Sequence, residues 1–231
     1  MILPNKKSKQ KKKTLVNPLD HLLKKGDKSD YSNIAFIHMP KTAGTSISRS
    51  FPYLGNNFMY DIYRPHRTAK DLQSQNIHLE KMFTFTFVRN PYDRFVSFYH
   101  YFLDRVDKFA LSNMVYKRLQ DKDFSSFCLF LPKFLHRYPA AYLFFRPQYL
   151  YIEGFKPNFI GRYENLQKDW KRLLITIKNK TTLVPNLKTQ LLHRKKSNHT
   201  NYKQYYNTKT QRAIYRFYQK DFEIFGYDKD L

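Results

Sequence analysis

Cysteine occurs once in the chain, at Cys128, so no intramolecular disulfide can form and no cysteine pair is on hand to bind a metal. That usage fits a reducing compartment. No run of about 18 apolar residues is present, which removes the usual signal for a membrane-spanning helix. The opening stretch, "MILPNKKSKQKKKTLVNPLDHLLKKGDKSD", has no apolar core of signal-peptide length either. A cytoplasmic protein without a transmembrane anchor is therefore expected. Internal repeats are absent. Acidic side chains are scarce, with 18 Asp and Glu against 42 Lys and Arg and a net charge of +24. Nine lysines and three aspartates in residues 1–30 account for only +6 of this, so most of the excess lies on the rest of the chain. Either a lysine-rich surface or an anionic partner explains it, and the basic arm can rest on an anionic membrane.

What is present is a core. Hydrophobic residues make up 42% of the chain and aromatics 18%, which excludes a disordered protein as a whole. At 231 residues one domain is expected, residues 31–231, preceded by a flexible basic arm over residues 1–30. "NIAFIHM", Asn33 to Met39, reads as a short buried strand ended by Pro40, and a helix can begin near Thr45 and stop at Pro52. In "MFTFTFVRNPYDRFVSFYHYF", Phe83, Phe85 and Phe87 alternate with threonines in a second strand. Asn90 then caps a helix with Pro91 at its first position, Asp93 in its first turn and a stripe of Phe95, Phe98, Tyr99 and Phe102. Residues 104–158 read as mostly helical. "NFIGRYENLQKDWKRLLITI" is strand, turn and helix again, with Leu166, Trp170, Leu173, Leu174 and Ile177 on one face. The last helix is expected to start at a Thr208/Gln211 capping pair, to bury Ile214, Phe217, Tyr218, Phe222 and Phe225, and to stop at Gly226. Strands alternating with helices predict an α/β fold with a mainly parallel sheet.

The stretch "FIHMPKTAGTSI" departs from this bulky, aromatic style. After Pro40 come Lys41, Thr42, Ala43, Gly44, Thr45 and Ser46, a lysine among small residues and hydroxyls between a strand and a helix start. Backbone N–H groups at such a turn favour an anion, Ala43 and Gly44 allow close approach, and Lys41 adds a full charge. An ordinary tight turn is the alternative. The ATP- and GTP-type loop, G-x-x-x-x-G-K-[ST], does not fit, because Lys41 precedes Gly44 by three positions and the second strand ends in Arg89 rather than an aspartate. Taken alone, Arg89 could as well be a surface ion pair and Ser97 a small residue for helix packing.

"FIHMPKTAGTSI" together with "FTFVRNPYDRFVSFY" resembles the carbohydrate sulfotransferase family, in particular its heparan and chondroitin sulfotransferase branch with bacterial members. "FIGRYENLQKDW" and the closing "YYNTKTQRAIYRFYQKDFEIFGYD" extend the resemblance from about Asn33 to Asp228. The resemblance implies a P-loop-like three-layer fold, a mainly parallel central sheet flanked by helices, and transfer from 3′-phosphoadenosine 5′-phosphosulfate (PAPS) to a hydroxyl. It implies that the Lys41 loop holds the phosphosulfate, that Arg89 and Ser97 hold the 3′-phosphate, and that the acceptor is a carbohydrate or glycolipid. No metal is expected. For the base, His66 in "YRPHRTAKDL" lies between the two motifs, before a helix that Thr68 and Asp71 can cap, and histidine suits proton transfer at neutral pH. His38 reads as structural, and a glutamate base stays open. Tyr163 is a candidate to stack on adenine, Arg194 to Ser197 resembles a loop that closes on the nucleotide, and "FFRPQYLYI" is the segment expected to face the acceptor. A basic nucleic-acid-binding protein, a nucleotide kinase and an inactive relative that only binds donor are the competing readings. Nucleic acid is not expected as a partner, since most aromatics fall on stripes that a core would use.

Overall fold

The computed structural model describes residues 31–51, 58–59, 66–103, 122–182, 190–191 and 201–231. The basic arm, Pro52, the expected helical stretch over residues 104–121 and the Arg194–Ser197 segment lie outside them. Four strands form one sheet in the order β2-β1-β3-β4: β1 (Ile34–Phe36), β2 (Phe58–Met59), β3 (Phe83–Val88) and β4 (Phe159–Arg162). All three pairings are parallel, with Phe36 opposite Phe85 and Val88 opposite Arg162. The helices are α1 (Gly44–Ser48), α2 (Ala69–Gln73), α3 (Pro91–Leu103), α4 (Phe124–Arg137), α5 (Tyr142–Phe145), α6 (Leu166–Lys180) and α7 (Thr208–Phe225). The α/β reading with a parallel central sheet holds.

Both sheet faces are covered, as a parallel sheet requires. Phe83, Phe85 and Phe87 share one face with Phe36 and pack with Trp170, Leu173 and Ile177 of α6. Ala35, Val88 and Ile160 face the other way, onto Ala69 and Leu72 of α2 and Phe225 of α7. Thr84 and Thr86, which alternate with the phenylalanines, are buried as well. Their hydroxyls are bonded, Thr86 donating to the Ile37 carbonyl at 2.7 Å and Thr84 to Asn158 Oδ1 at 3.0 Å. A third cluster of Phe95, Phe98, Phe102, Phe127, Phe134 and Phe145 joins α3, α4 and α5 to α7.

Helix starts follow local chemistry. Asn90 Oδ1 accepts from the Tyr92 and Asp93 amides at the head of α3. Thr68 and Asp71 close a capping box on α2, with bonds of 3.0 and 2.8 Å. The box on α7 falls one residue earlier than expected, on Asn207 and Thr210 rather than Thr208 and Gln211. Asparagine is at least as good an N-cap as threonine, and the Thr210 hydroxyl returns the bond to the Asn207 amide. Gly226 ends α7 at φ 60, the left-handed turn that glycine takes without penalty. β1 is shorter than the expected Asn33–Met39 run. After the Ile37 amide donates to Phe85 O, the chain leaves the sheet toward the Pro40 loop.

Candidate active site

The chain runs from β1 to β2 on one side, and from β3 to β4 on the other. The order therefore reverses between β1 and β3. In open parallel sheets the crevice beyond the carboxyl ends of two such strands is where ligands bind. The Pro40–Ser46 loop follows β1 and Arg89 follows β3, so both sequence motifs open onto this switch point.

Hydrogen bonds tie the two motifs together. Arg89, 3% exposed, donates through Nη1 to the Lys41 carbonyl at 3.1 Å and through Nε to Asp93 Oδ2 at 2.7 Å. Its guanidinium lies 3.9 Å from the centre of the Tyr163 ring, so Tyr163 braces the arginine. Arg94, one position into the next turn, donates through Nε to the Pro40 carbonyl at 3.0 Å and through Nη2 to the Arg146 carbonyl at 2.9 Å. Two arginines of one motif thus grip successive carbonyls of the other. Asp93, Ser97 and Tyr101 fall at i, i+4 and i+8 on one face of α3. Asp93 meets Arg89, and the Tyr101 ring lies 4.4 Å from Lys41 Nζ, which puts buried Ser97 between the contacts of the two cations.

Backbone strain concentrates here. Among the described residues, four other than glycine have positive φ: Lys41 (67), Ala43 (66), His66 (78) and Asn76 (59). Asparagine adopts this region readily, whereas the other three lie in the loop or beside it, where strain commonly accompanies a functional geometry. Within the loop, the Thr42 hydroxyl donates to the Met39 carbonyl at 2.9 Å and is fully buried, Ser46 is buried, and Thr45 is half-buried at the head of α1. Gly44 is small for a reason the sequence did not suggest. A Cβ there would stand 1.6 Å from His38 Nε2, so the imidazole fills the space a side chain would need.

That imidazole leads to His66. The two rings are 4.4 Å apart at 55°, and His66 Nδ1 lies 3.2 Å from the His38 carbonyl. A carbonyl only accepts, so Nδ1 carries the proton and Nε2 keeps its lone pair. Burial lowers the His66 pKa to about 4; nearby Arg94 and Lys41 push the same way, and the bond to His38 only partly opposes them. His38 is also held well below the ordinary value, first by burial and then by His66. Both rings are neutral at pH 7.

The structure therefore brings Lys41, Ala43, Gly44, His38, His66, Arg89, Ser97 and Tyr163 together beyond the carboxyl ends of β1 and β3. Arg94 and Tyr101 belong there too. They were missed because an arginine and a tyrosine on an aromatic helix carry no local sign of their partners. "FFRPQYLYI" is largely turned inward, with Phe145, Gln148 and Tyr151 buried. No group of three His, Cys, Asp or Glu side chains that could hold a metal occurs among the described residues. Among the same residues, no helix is long and apolar enough to cross a membrane.

A lysine-bearing loop and a clamped arginine thus stand at the switch point of a parallel α/β sheet, with a neutral imidazole beside them. A family model described as "Sulfotransferase family" matches residues 27–228. The chain belongs to the sulfotransferase family, and with membership come its general activity and its nucleotide sulfate donor, PAPS. No curated protein and no solved structure matches the chain.

Proposed function

We propose that the protein transfers the sulfuryl group of PAPS to a hydroxyl of a carbohydrate acceptor, on a P-loop-like three-layer scaffold, with Lys41 at the phosphosulfate, Arg89 and Ser97 at the 3′-phosphate and His66 as general base. The observation that carries this reading is the convergence of Lys41, Arg89 and His66 at the crevice between β1 and β3. In the step itself, the acceptor oxygen attacks sulfur in line while its proton passes to His66 Nε2. The new S–O bond forms as the bond from sulfur to the 5′-phosphate oxygen breaks, and 3′,5′-ADP leaves. Lys41 stabilises the charge that develops on that phosphate, and the fixed cations need no rearrangement at the moment of transfer. The remaining loop residues, Thr42, Ala43, Thr45 and Ser46, shape the cradle. Tyr163 lies against Arg89, next to where an adenine would follow the 3′-phosphate.

The acceptor is read as a carbohydrate or glycolipid, as in the heparan and chondroitin branch, and the net charge of +24 suits one that carries negative charge. A nucleic-acid-binding reading has less support, because the exposed large hydrophobics among the described residues are Leu129, Leu143 and Ile175, none of them an aromatic on which a base could stack.

Titration with 3′,5′-ADP, 5′-AMP, and ATP with magnesium tests the donor assignment. Clear preference for 3′,5′-ADP is expected, together with loss of transfer but retention of that binding in His66→Ala. Preference for ATP with magnesium would overturn the reading.

A further inference from the structure

Arg89 is the first residue beyond β3, where the ladder to β4 has just ended at Val88. Its backbone nonetheless meets a partner on both sides. The Arg89 amide donates to Gln148 Oε1 at 2.9 Å, and Gln148 Nε2 donates to the Arg89 carbonyl at 2.8 Å. One side-chain amide thereby stands in for a neighbouring strand, pinning both peptide groups of the clamp residue. Gln148 is itself fixed from behind. Asp221, on α7, accepts the Gln148 amide at 2.7 Å through Oδ2 and the Tyr149 amide at 2.8 Å through Oδ1. Gln148 and Asp221 are both fully buried, so these bonds face no competition from water.

We propose that Gln148, held by Asp221, is a positioning residue that sets the Arg89 guanidinium for the 3′-phosphate of the donor. The inference rests on the donor reading above. Its physical basis is leverage. The bonds from Arg89 to Asp93 and to the Lys41 carbonyl orient the guanidinium only if the backbone it hangs from is fixed, and the Gln148 side-chain amide holds both its N–H and its carbonyl. A merely structural glutamine would affect all ligands of the site alike. A positioning glutamine affects the part of the ligand that Arg89 reads.

The test is binding of 3′,5′-ADP and 5′-AMP by calorimetry to the full chain, unmodified and as Gln148→Met. The unmodified protein should prefer 3′,5′-ADP. In Gln148→Met the dissociation constant for 3′,5′-ADP should rise about tenfold, the scale of one misplaced hydrogen bond to a charged group. Binding of 5′-AMP, which lacks the 3′-phosphate that Arg89 reads, should change by less than about twofold. Equal weakening of both nucleotides, or of neither, in folded Gln148→Met would overturn the inference while leaving the donor reading intact. Absence of any 3′,5′-ADP preference in the unmodified protein would overturn the donor reading and this inference with it. Should Gln148→Met not fold, Gln148→Glu carries the same comparison. It keeps length and the acceptor for the Arg89 amide but turns an oxygen toward the Arg89 carbonyl, so the same selective loss is expected, and unchanged preference there would count equally against the role.

Discussion

Acidifying the protein from pH 7 to pH 5 should leave His66 uncharged. Desolvation of the half-buried ring lowers its pKa to about 4, with Arg94 and Lys41 pushing the same way and the Nδ1 bond to the His38 carbonyl only partly opposing them. Against an ordinary value near 6.5 this corresponds to roughly 3 kcal/mol of extra cost for charging the ring. At pH 5 a group with pKa about 4 is about 90% neutral, whereas an ordinary histidine is only about 3% neutral. The difference is large and does not require conditions that unfold the protein. Imidazole ¹H–¹³C spectra recorded between pH 5 and 8, with the His66 resonance assigned from His66→Ala, should show it nearly flat over that range. Its ¹⁵N shifts should report a protonated Nδ1 and a bare Nε2. A midpoint near 6.5, or a proton on Nε2, would refute the account of the base.

The rate profile should carry the same signature. Since kcat/KM reports the free enzyme, its acid limb should lie below pH 5. Bound donor brings negative phosphates beside the ring and favours its charged form, so the acid limb of kcat should lie at higher pH. Coincident limbs near 6.5 would mean that the titrating base is some other, more exposed group.

Lys41→Ala should lower transfer by about 10²–10³-fold, the scale for removing one preorganised charge stabiliser, and full turnover in that variant would exclude the loop from the mechanism. Arg89→Ala should erase most of the preference for 3′,5′-ADP, but it also takes the counter-charge from Asp93, so Arg89→Ala with Asp93→Asn is the cleaner comparison by calorimetry. Gly44→Ala should cost roughly 1–3 kcal/mol in denaturant unfolding through overpacking, and His38→Ala in the same chain should relieve part of it. Strict additivity of those two changes would show that the rings do not constrain Gly44. In melting curves against pH, depressed His66 contributes stability that is present above about pH 6.5 and lost as pH falls through about 4, and His38, lowered by burial and then by His66, acts in the same direction. Asp221 acts in the opposite sense. Burial pushes it up to about 6, so its contribution is present below its ordinary value of 3.8 and lost as pH rises through about 6. His66→Ala should therefore flatten the acid-side loss and Asp221→Asn should steepen it. The reverse pattern would contradict both assignments.

Local signals made the framework legible. An apolar run closed by Pro40, and an alternating run followed by an asparagine cap and Pro91, each specify strand, turn and helix within a dozen residues, and both are found where expected. β2 was not legible, because Phe58–Met59 is two residues long and too short to show a period. Nor was the inward turn of Gln148 or the grip of Arg94 on Pro40, since their partners lie 59 and 54 positions away. The loop shows most clearly where sequence reasoning stops. Its small residues suggest close approach of an anion, yet at Gly44 the nearest neighbour is the His38 ring. That ring in turn packs against His66, whose positive φ and Nδ1 bond fix where Nε2 points. The absence of a side chain at Gly44 thus makes room for the His38–His66 pair as well as for close approach at the loop. Lys41 and the imidazole that would take the acceptor proton are held in register by the same few atoms, so a change in volume at Gly44 should disturb donor binding and proton transfer together.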